Sequence, residues 1–312
     1  MQMLGLWLGF NLVVLVLLAL DLGVFHRQAH EVSLREAAIW SAVWVLLSLL
    51  FNGFLFLWQG TEAGLDFLTA YLIEKSLSVD NIFVFVVFFS TFRVPARYQH
   101  GVLFWGVLGA IVMRGLLILA GTTLLSLFHW LLYVFGAFLI LTGIRLAWRR
   151  ERRAHPEKNP LVRLARRYLP VSDDVEGPRF FVRKEGRLFV TPLLLVLLVV
   201  ESADLLFALD SIPAVFAVTL DPFLVYTSNI CAILGLRALY FLLADLVERF
   251  HYLKFGLAVI LVLVGVKLVL ADLYPIPIGV SLGVIAFILT IAIAASLLRP
   301  PEESTRQEAK KR

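Results

Sequence analysis

The sequence contains one cysteine, Cys231, which lies inside an apolar run. A single cysteine excludes a disulfide within the chain and a cluster of thiolate metal ligands. Charged residues are also scarce, since they make up 16% of the 312 residues while hydrophobic residues make up 60%. Together with apolar runs long enough to span a bilayer, this composition excludes a soluble domain and indicates a membrane protein.

Motifs of common enzymes and of ATP-driven pumps are missing from the sequence. It contains neither the G-x-S-x-G motif of hydrolases nor a P-loop, and no pattern pairs a nucleophile with a histidine. Basic residues interleaved with aromatic residues on one soluble face, which are typical of nucleic-acid binding, are missing too. We therefore expect neither an enzyme nor a nucleic-acid partner.

The apolar runs predict an all-α, polytopic membrane protein with about nine transmembrane helices. The first run, 4–25, has no Lys or Arg before it, so we expect a retained helix and not a cleaved signal peptide. The predicted spans are 4–24, 37–58, 65–89, 101–124, 127–148, 191–219, 223–247, 252–271 and 278–298. The chain then divides into spans one to five (1–148), a basic loop (149–190), spans six to nine (191–298) and a tail (299–312).

The loops between the predicted spans alternate in charge. Those after the first, third, fifth and seventh spans contain Lys or Arg, and those after the second, fourth, sixth and eighth contain neither. Because basic loops stay in the cytoplasm, we expect the N-terminus outside and the C-terminus inside. The loop 149–190 contains twelve Lys or Arg. Its first part, 149–167, is expected to lie on the inner leaflet, and Lys184-Glu185-Gly186 predicts a small hairpin near its end.

Two predicted spans contain acidic residues. The third includes YLIEKSLSVDNIFVFVVFFS and the sixth includes VVESADLLFALDSIPAV. A carboxylate near the middle of a membrane helix costs about 2.5–3.5 kcal/mol, so such residues usually mark a functional site. The five carboxylates are Glu74, Asp80, Glu201, Asp204 and Asp210.

Spans three to five resemble spans six to eight. The aligned pairs are Asp80-Asn81-Ile82 with Asp210-Ser211-Ile212, Glu74 with Asp204, and Arg114 with Arg237. Because each unit has three spans, the second copy would enter the membrane from the opposite side. The sequence therefore predicts an inverted repeat, about 65–148 and 191–271, which is typical of secondary transporters whose site lies where the copies meet.

Helical geometry predicts which side chains share a face. Glu74, Ser78 and Asn81 lie on one face of the third span, because residues seven apart differ by about 20°. Asp204 and Ser211 occupy the equivalent face of the sixth span.

The aspartates Asp80 and Asp210 lie about 100° to the side of these faces. They would join the same cluster if the helices unwound locally. Pro213 favours unwinding in the sixth span, since it offers no N–H to the carbonyl of Leu209. The freed carbonyl would be a further oxygen ligand.

The candidate metal ligands are all oxygens. They are Glu74, Asp80, Asn81, Glu201, Asp204, Asp210 and Ser211, with Lys75, Arg114 and Arg237 as supporting charges. Carboxylate and carbonyl oxygens suit Mg²⁺, Ca²⁺ and Mn²⁺ better than Zn²⁺ or Cu⁺. Five acids against three cations leave a charge of −2, which one divalent ion would neutralise. We expect a transported ion and no tightly bound cofactor.

A structural interpretation of these charges is also open. The acids can pair with Arg114 and Arg237 and so hold helices together, although this leaves carboxylates over. For Lys75, a cation that satisfies a neighbouring acceptor is the simpler interpretation.

The segments IEKSLSVDNIFVF and VESADLLFALDSIPAVFAVT resemble the two signature segments of the TerC family of integral membrane proteins. The resemblance covers nearly the whole chain except the tail and is close to the Alx-like branch. It implies a multi-pass protein of the bacterial inner membrane, surrounded by lipid, that exports Mn²⁺ and is related to LysE-type exporters. The metal-binding acids of the family correspond to Glu74, Asp80, Glu201, Asp204 and Asp210.

Two functions follow from these observations. The first is a secondary transporter that exports Mn²⁺, or a similar hard divalent cation, by alternating access, with protons on the same carboxylates as the candidate coupling ion. The second is a non-transporting partner in membrane-protein assembly or stress resistance that acts through the loop 149–190. The sequence identifies no protein partner.

Overall fold

The computed structural model describes residues 2–20, 32–92, 94–148, 170–172, 177–184, 187–244, 252–274 and 276–298. These residues form ten α-helices and one β-hairpin. The helices before the hairpin are α1 (Gln2–Leu20), α2 (Leu34–Trp58), α3 (Thr61–Thr91), α4 (Ala96–Leu127) and α5 (Leu131–Trp148). Those after it are α6 (Pro192–Phe216), α7 (Pro222–Leu234), α8 (Leu236–Leu243), α9 (Leu253–Val269) and α10 (Ile278–Leu298).

Six segments are long and apolar enough to cross a membrane, which confirms the polytopic all-α class. They are Leu34–Trp58, Ala96–Leu127, Leu131–Trp148, Pro192–Phe216, Pro222–Leu243 and Ile278–Ser296. The other predicted spans correspond to α1 and α9, which are short, and to α3, whose 31 residues include several charges. A total of nine spans therefore stays a prediction.

Local sequence signals explain where several helices begin. Ser33 accepts a hydrogen bond from the Glu36 amide at 3.2 Å and so caps α2. Asp221 accepts from the Phe223 amide at 2.8 Å and caps α7, whose first residue is Pro222. Both arrangements satisfy amides that have no partner within the first helical turn.

The predicted seventh span is not one continuous helix. It breaks at Gly235, which separates α7 from α8. A Cβ atom on Gly235 would lie 2.8 Å from Lys75 Nζ and 3.1 Å from the Trp44 Cβ. The break therefore lies where Trp44 of α2 and the end of the Lys75 side chain of α3 approach the backbone closely.

The hairpin predicted around Lys184-Glu185-Gly186 is confirmed by strand pairing. Strands β1 (Phe181–Lys184) and β2 (Arg187–Val190) are antiparallel, with Phe181 opposite Val190 and Lys184 opposite Arg187. Its end is fixed to the start of α6, because Thr191 Oγ1 donates to the Arg179 carbonyl at 2.8 Å. The stretch 149–167, predicted to lie on the inner leaflet, is outside the described residues.

Four helices form the centre of the molecule. Helix α3 packs on α6 and α7, and α4 packs on the same two helices. Around this centre, α2 packs on α3 and α8, and α10 packs on α3 and α9. Several polar side chains where α3, α4, α6 and α7 meet are consequently buried, among them Glu74, Arg114, Asp204 and Asn229.

Helices α5 and α9 pack side by side more closely than ordinary side chains allow. A Cβ on Gly136 would lie 2.8 Å from the Gly265 carbonyl oxygen, and a Cβ on Gly265 would lie 2.7 Å from that of Gly136. Farther along, a Cβ on Gly143 would lie 2.7 Å from the Ala258 carbonyl oxygen. Because rising numbers in α5 meet falling numbers in α9, the two helices run antiparallel.

This close packing predicts that an added methyl group destabilises the protein. Gly136→Ala and Gly265→Ala should each lower the thermal midpoint in detergent, because overpacking costs about 1–3 kcal/mol. The matched control is Gly283→Ala in α10, where no atom lies within 4 Å of the added Cβ. If all three variants melted with the wild type, the α5–α9 contact would not be as close as described.

Candidate functional site

The most deeply buried charge among the described residues is the guanidinium of Arg114, on α4. Its side chain is 0% exposed. Nε donates to Asp204 Oδ2 at 3.3 Å, and Nη2 donates to Asp204 Oδ1 at 3.2 Å. This two-pronged contact joins α4 to α6 and uses the parallel donor geometry that arginine offers to a carboxylate.

The third nitrogen, Nη1, joins Arg114 to the other central helices. It donates to Glu74 on α3, to Asn229 Oδ1 on α7 at 2.5 Å, and to Ser211 Oγ on α6 at 3.4 Å. The amide of Asn229 in turn donates to Glu74 Oε2 at 3.2 Å. We call Glu74, Arg114, Asp204, Ser211 and Asn229 the Arg114 cluster.

The Arg114 cluster is an electrostatic pairing with one negative charge left over. Two carboxylates face one guanidinium, a net charge of −1 when all three are ionised. Charges buried this deeply require partners, because removing one member of a buried pair costs about 3–5 kcal/mol. Glu74 and Asp204 therefore pair with Arg114, as the structural interpretation of the acids predicts.

Two of the predicted acids lie beside the cluster. Glu201, half-buried, precedes Asp204 by three residues on α6, and its carboxylate lies where a Cβ on Gly109 of α4 would be. Asp210, also half-buried, accepts a hydrogen bond from Thr142 Oγ1 of α5 at 3.5 Å. Within the described residues, neither carboxylate is hydrogen-bonded to Arg114.

The predicted unwinding around Pro213 is wrong. Helix α6 is continuous from Pro192 to Phe216 and contains Pro213 within its last turn. Asp210 therefore keeps its helical position, about 120° around the axis from Asp204. This geometry turns Asp210 toward α5 instead of toward Arg114.

The remaining predicted ligands of α3 are only partly described. Asn81 is buried, and Ser78 is buried with its hydroxyl donating to the Glu74 carbonyl at 2.8 Å. Asp80 belongs to α3, but its side chain is outside the described residues. The pairing of Asp80 with Asp210 across the two repeat copies thus stays a prediction.

The supporting cations lie in different places. Lys75 Nζ donates to the Ala232 carbonyl at 3.2 Å, at the end of α7 beside the break at Gly235. A cation there is favoured because helix C-termini present carbonyl groups and partial negative charge. Lys75 thus satisfies a backbone acceptor, as its simpler interpretation predicted. Arg237, on α8, is buried.

Asn229 is the cluster member that sequence reasoning missed. It ends a polar triplet, Thr227-Ser228-Asn229, in an otherwise apolar helix, and all three residues are fully buried. The hydroxyls of Thr227 and Ser228 donate to carbonyls of their own helix. The sequence feature that indicates a partner for Asn229 is therefore its side-chain amide, because one helix cannot satisfy all the donors and acceptors of that group.

No three His, Cys, Asp or Glu side chains in the described part of the chain are close enough together to hold a metal ion. At the centre, the guanidinium of Arg114 lies between the carboxylates of Glu74 and Asp204. Four of the predicted acidic ligands thus lie in two places. Glu74 and Asp204 are bound to Arg114 at the centre, and Glu201 and Asp210 flank them on α6.

Comparison with known proteins identifies the family of this chain. Residues 59–304, most of the chain, match the model of the integral membrane protein TerC family. The chain belongs to the TerC family. The match includes both acid-containing helices, α3 and α6, and therefore confirms the resemblance of their two segments to the family signatures.

Several close relatives of this TerC-family protein are known. STKORF319, a membrane protein of Myxococcus xanthus, is 56% identical over 295 residues, which cover 95% of this chain and 92% of the relative. The Alx proteins of Salmonella typhi and Escherichia coli K12 are 54% and 53% identical over 298 and 296 residues, and in each case the alignment covers 92% of both chains. Both are named for a proposed role as membrane-bound redox modulators. No solved structure matches the chain.

The contacts of Asn229 predict a specific loss of stability. Asn229→Ala removes hydrogen bonds to Arg114 and Glu74, and bonds to charged groups contribute about 1.5–3 kcal/mol each. We expect a clearly lower thermal midpoint in detergent than for Ser228→Ala. Among the described residues, the buried Ser228 hydroxyl is bonded to its own helix, at 3.1 Å. Equal midpoints for the two variants would show that Asn229 does not hold the cluster together.

Proposed function

We propose that this TerC-family protein is a secondary transporter that exports a hard divalent cation, with Mn²⁺ preferred, from the cytoplasm. The observation that supports this most strongly is the burial of Glu74 and Asp204 where four apolar helices meet. Acids at this depth are costly and typically line ion pathways. Their oxygens suit Mn²⁺ better than softer metals.

The acids of α6 offer a path as well as a site. Glu201, Asp204 and Asp210 lie at successive depths, because three residues of helix rise about 4.5 Å and six rise about 9 Å. The outer two are half-buried and the middle one is buried. In this proposal a cation passes from the half-buried Glu201 to the buried centre and then around the helix to Asp210, which faces α5, with the Asp80 side chain as a further proposed ligand.

The packing of the helices supports the inverted repeat that alternating access requires. If α3, α4 and α5 correspond to α6, the broken helix α7–α8 and α9, the contact of α3 with α7 has its counterpart in that of α6 with α4. The glycine contacts between α5 and α9 agree with this correspondence. An offset of 122 residues takes Gly136 to Ala258 and Gly143 to Gly265, so the contact of Gly136 with Gly265 has its counterpart in that of Gly143 with Ala258. Rocking of one repeat against the other would expose the central acids to each side in turn.

The proposed orientation places the N-terminus outside and the C-terminus in the cytoplasm of a bacterial inner membrane, after nine spans. One contact supports it. His129, in the turn between α4 and α5, lies 3.2 Å from the carboxylate of Asp272, which follows α9. These two connections lack Lys and Arg, and both are proposed to face outward.

Two other functions receive less support. The Alx relatives are named as membrane-bound redox modulators. A relay between two thiols of this chain would need two sulfurs, whereas its one cysteine, Cys231, is buried. An assembly partner acting through the loop 149–190 would not require buried carboxylates at the meeting of four helices. Pairing with Arg114 accounts for Glu74 and Asp204 in any of these functions, but only transport gives a role to the flanking acids Glu201 and Asp210.

Flux in vesicles containing only this protein tests the proposal. Asp210→Asn and Asp80→Asn should lower Mn²⁺ flux per folded molecule by about tenfold or more, because even residues behind a metal ligand change affinity about 10–100-fold. The matched control, Asp272→Asn, makes the same change at an exposed site and should leave flux intact, as should shortening the loop 149–190. Wild-type flux in both aspartate variants would contradict the proposed path, and no flux in the wild type would contradict transport.

The ligand chemistry predicts metal selectivity. Purified protein should bind Mn²⁺ more tightly than Zn²⁺, because the proposed site contains only oxygen ligands. Titration of the wild type and of Cys231→Ser with each ion checks this. A preference for Zn²⁺ that survives Cys231→Ser would contradict the assignment of oxygen ligands.

The proposed orientation predicts opposite locations for two reporters. A fusion after Thr61 should report the outside and a fusion after Arg306 should report the cytoplasm, because the intervening basic loops alternate. Finding both reporters on one side would contradict the nine-span arrangement.

A further inference from the structure

We infer that Arg114 is a built-in counter-cation whose guanidinium occupies the transport site when no metal is bound and withdraws when metal binds. The inference rests on the proposed function. It gives Arg114 a positioning role beyond joining helices, and it makes Asn229 and Ser211 the residues that hold the withdrawn guanidinium.

The first support is direct overlap between the guanidinium and the proposed cation site. Arg114 contacts both Asp204 oxygens, at 3.2 and 3.3 Å, and also contacts Glu74 Oε1. These are the carboxylates to which a cation at the buried centre would bind. A metal ion that bridged these two carboxylates would need the space between them that the guanidinium fills, so one of the two cations must move.

The second support is charge. With Arg114 in place, the ionised side chains of Glu74, Asp204 and Arg114 sum to a net charge of −1. Without it they would leave two buried negative charges, which one divalent cation neutralises. Metal and guanidinium are thus alternative partners for the same pair of acids. The centre has a net charge of −1 with the guanidinium alone and +1 when a divalent ion joins it, and both are smaller than the −2 of the two free carboxylates.

The third support is a pair of neutral acceptors beside the carboxylates. Nη1 donates to Asn229 Oδ1 at 2.5 Å and to Ser211 Oγ at 3.4 Å, in addition to Glu74. When the carboxylates turn to a metal, these oxygens can keep the guanidinium hydrogen-bonded. When the guanidinium withdraws, some donors of this fully buried arginine therefore stay hydrogen-bonded.

A transporter with such a residue can return without cargo. After metal release, Arg114 pairs with both Glu74 and Asp204 and reduces their charge from −2 to −1, so the repeats can change orientation with both carboxylates paired. Without the arginine, the empty site would contain unpaired buried carboxylates and its return would be slow, whereas the metal-loaded site would still move. Arg114 should therefore be needed for net export but not for exchange of metal against metal.

The test compares these two modes in vesicles containing the wild type or Arg114→Gln. Net Mn²⁺ efflux should fall by about tenfold or more in the variant, because the empty return would leave a buried charge unpaired. Exchange of radioactive Mn²⁺ against unlabelled Mn²⁺, per folded molecule, should stay within about twofold of the wild type, since one divalent ion neutralises the pair. Arg97→Lys, at the exposed start of α4, is the control for both modes.

A second variant covers the case in which Arg114→Gln does not fold. Arg114→Lys keeps the positive charge but loses the parallel donors that hold Asp204, so it should compete less strongly with metal. Mn²⁺, titrated alone against purified protein, should bind Arg114→Lys about threefold or more tightly than the wild type. Unchanged or weaker binding would overturn the inference.

The outcomes separate this inference from the proposed function. Equal loss of net efflux and exchange in Arg114→Gln would show that the arginine only holds helices together, while transport by the wild type would stand. Unchanged net efflux in Arg114→Gln would also overturn the inference alone. If the wild type moved no Mn²⁺ in either mode, the proposed function would fail and the inference with it.

Discussion

The structure depends on one buried interaction, the pairing of the Arg114 guanidinium with the carboxylates of Glu74 and Asp204. All three side chains are buried where apolar helices meet. Each charge is stable there because the oppositely charged partners are present. Helices α3, α4 and α6 each supply one member, and α7 adds the amide of Asn229 that bridges guanidinium and carboxylate. The relative placement of four helices is thereby coupled to the charge state of one small site.

The surrounding helices combine a close contact between α5 and α9 with a break beside the site. Helices α5 and α9 meet through glycines with almost no side chain between them, which provides a firm contact between the two halves of the chain. In contrast, the helix that carries Asn229 is broken at Gly235, where Lys75 binds its last turn. A discontinuous helix next to a buried charge site is typical of transporters, because broken helices can change shape while packed helices move as rigid bodies.

Much of the site could be predicted because helical periodicity is simple. The spacing of Glu74 and Asp204 relative to Asn81 and Ser211 predicts their common faces, and the structure brings Glu74, Asp204 and Ser211 together around Arg114. The position of Asp210 was misjudged because Pro213 weakens one hydrogen bond without breaking a helix that ends three residues later.

Asn229 and the break at Gly235 could not be predicted from periodicity alone. A polar residue in an apolar helix has the same local sequence whether it faces lipid or a neighbouring charge. A glycine likewise has the same neighbours in the chain whether or not a lysine from another helix approaches it. In both cases the deciding partner is supplied by tertiary packing, since Glu74 and Lys75 are more than 150 residues away in the chain.

The most direct measurement is an experimental structure of the protein with Mn²⁺, in which anomalous scattering locates the metal. A site built to exchange guanidinium for metal predicts a peak between the carboxylates of Glu74 and Asp204, with Arg114 moved onto Asn229 and Ser211. A saturated protein in which Arg114 stays on both carboxylates, with no metal within the helical bundle, would contradict this account.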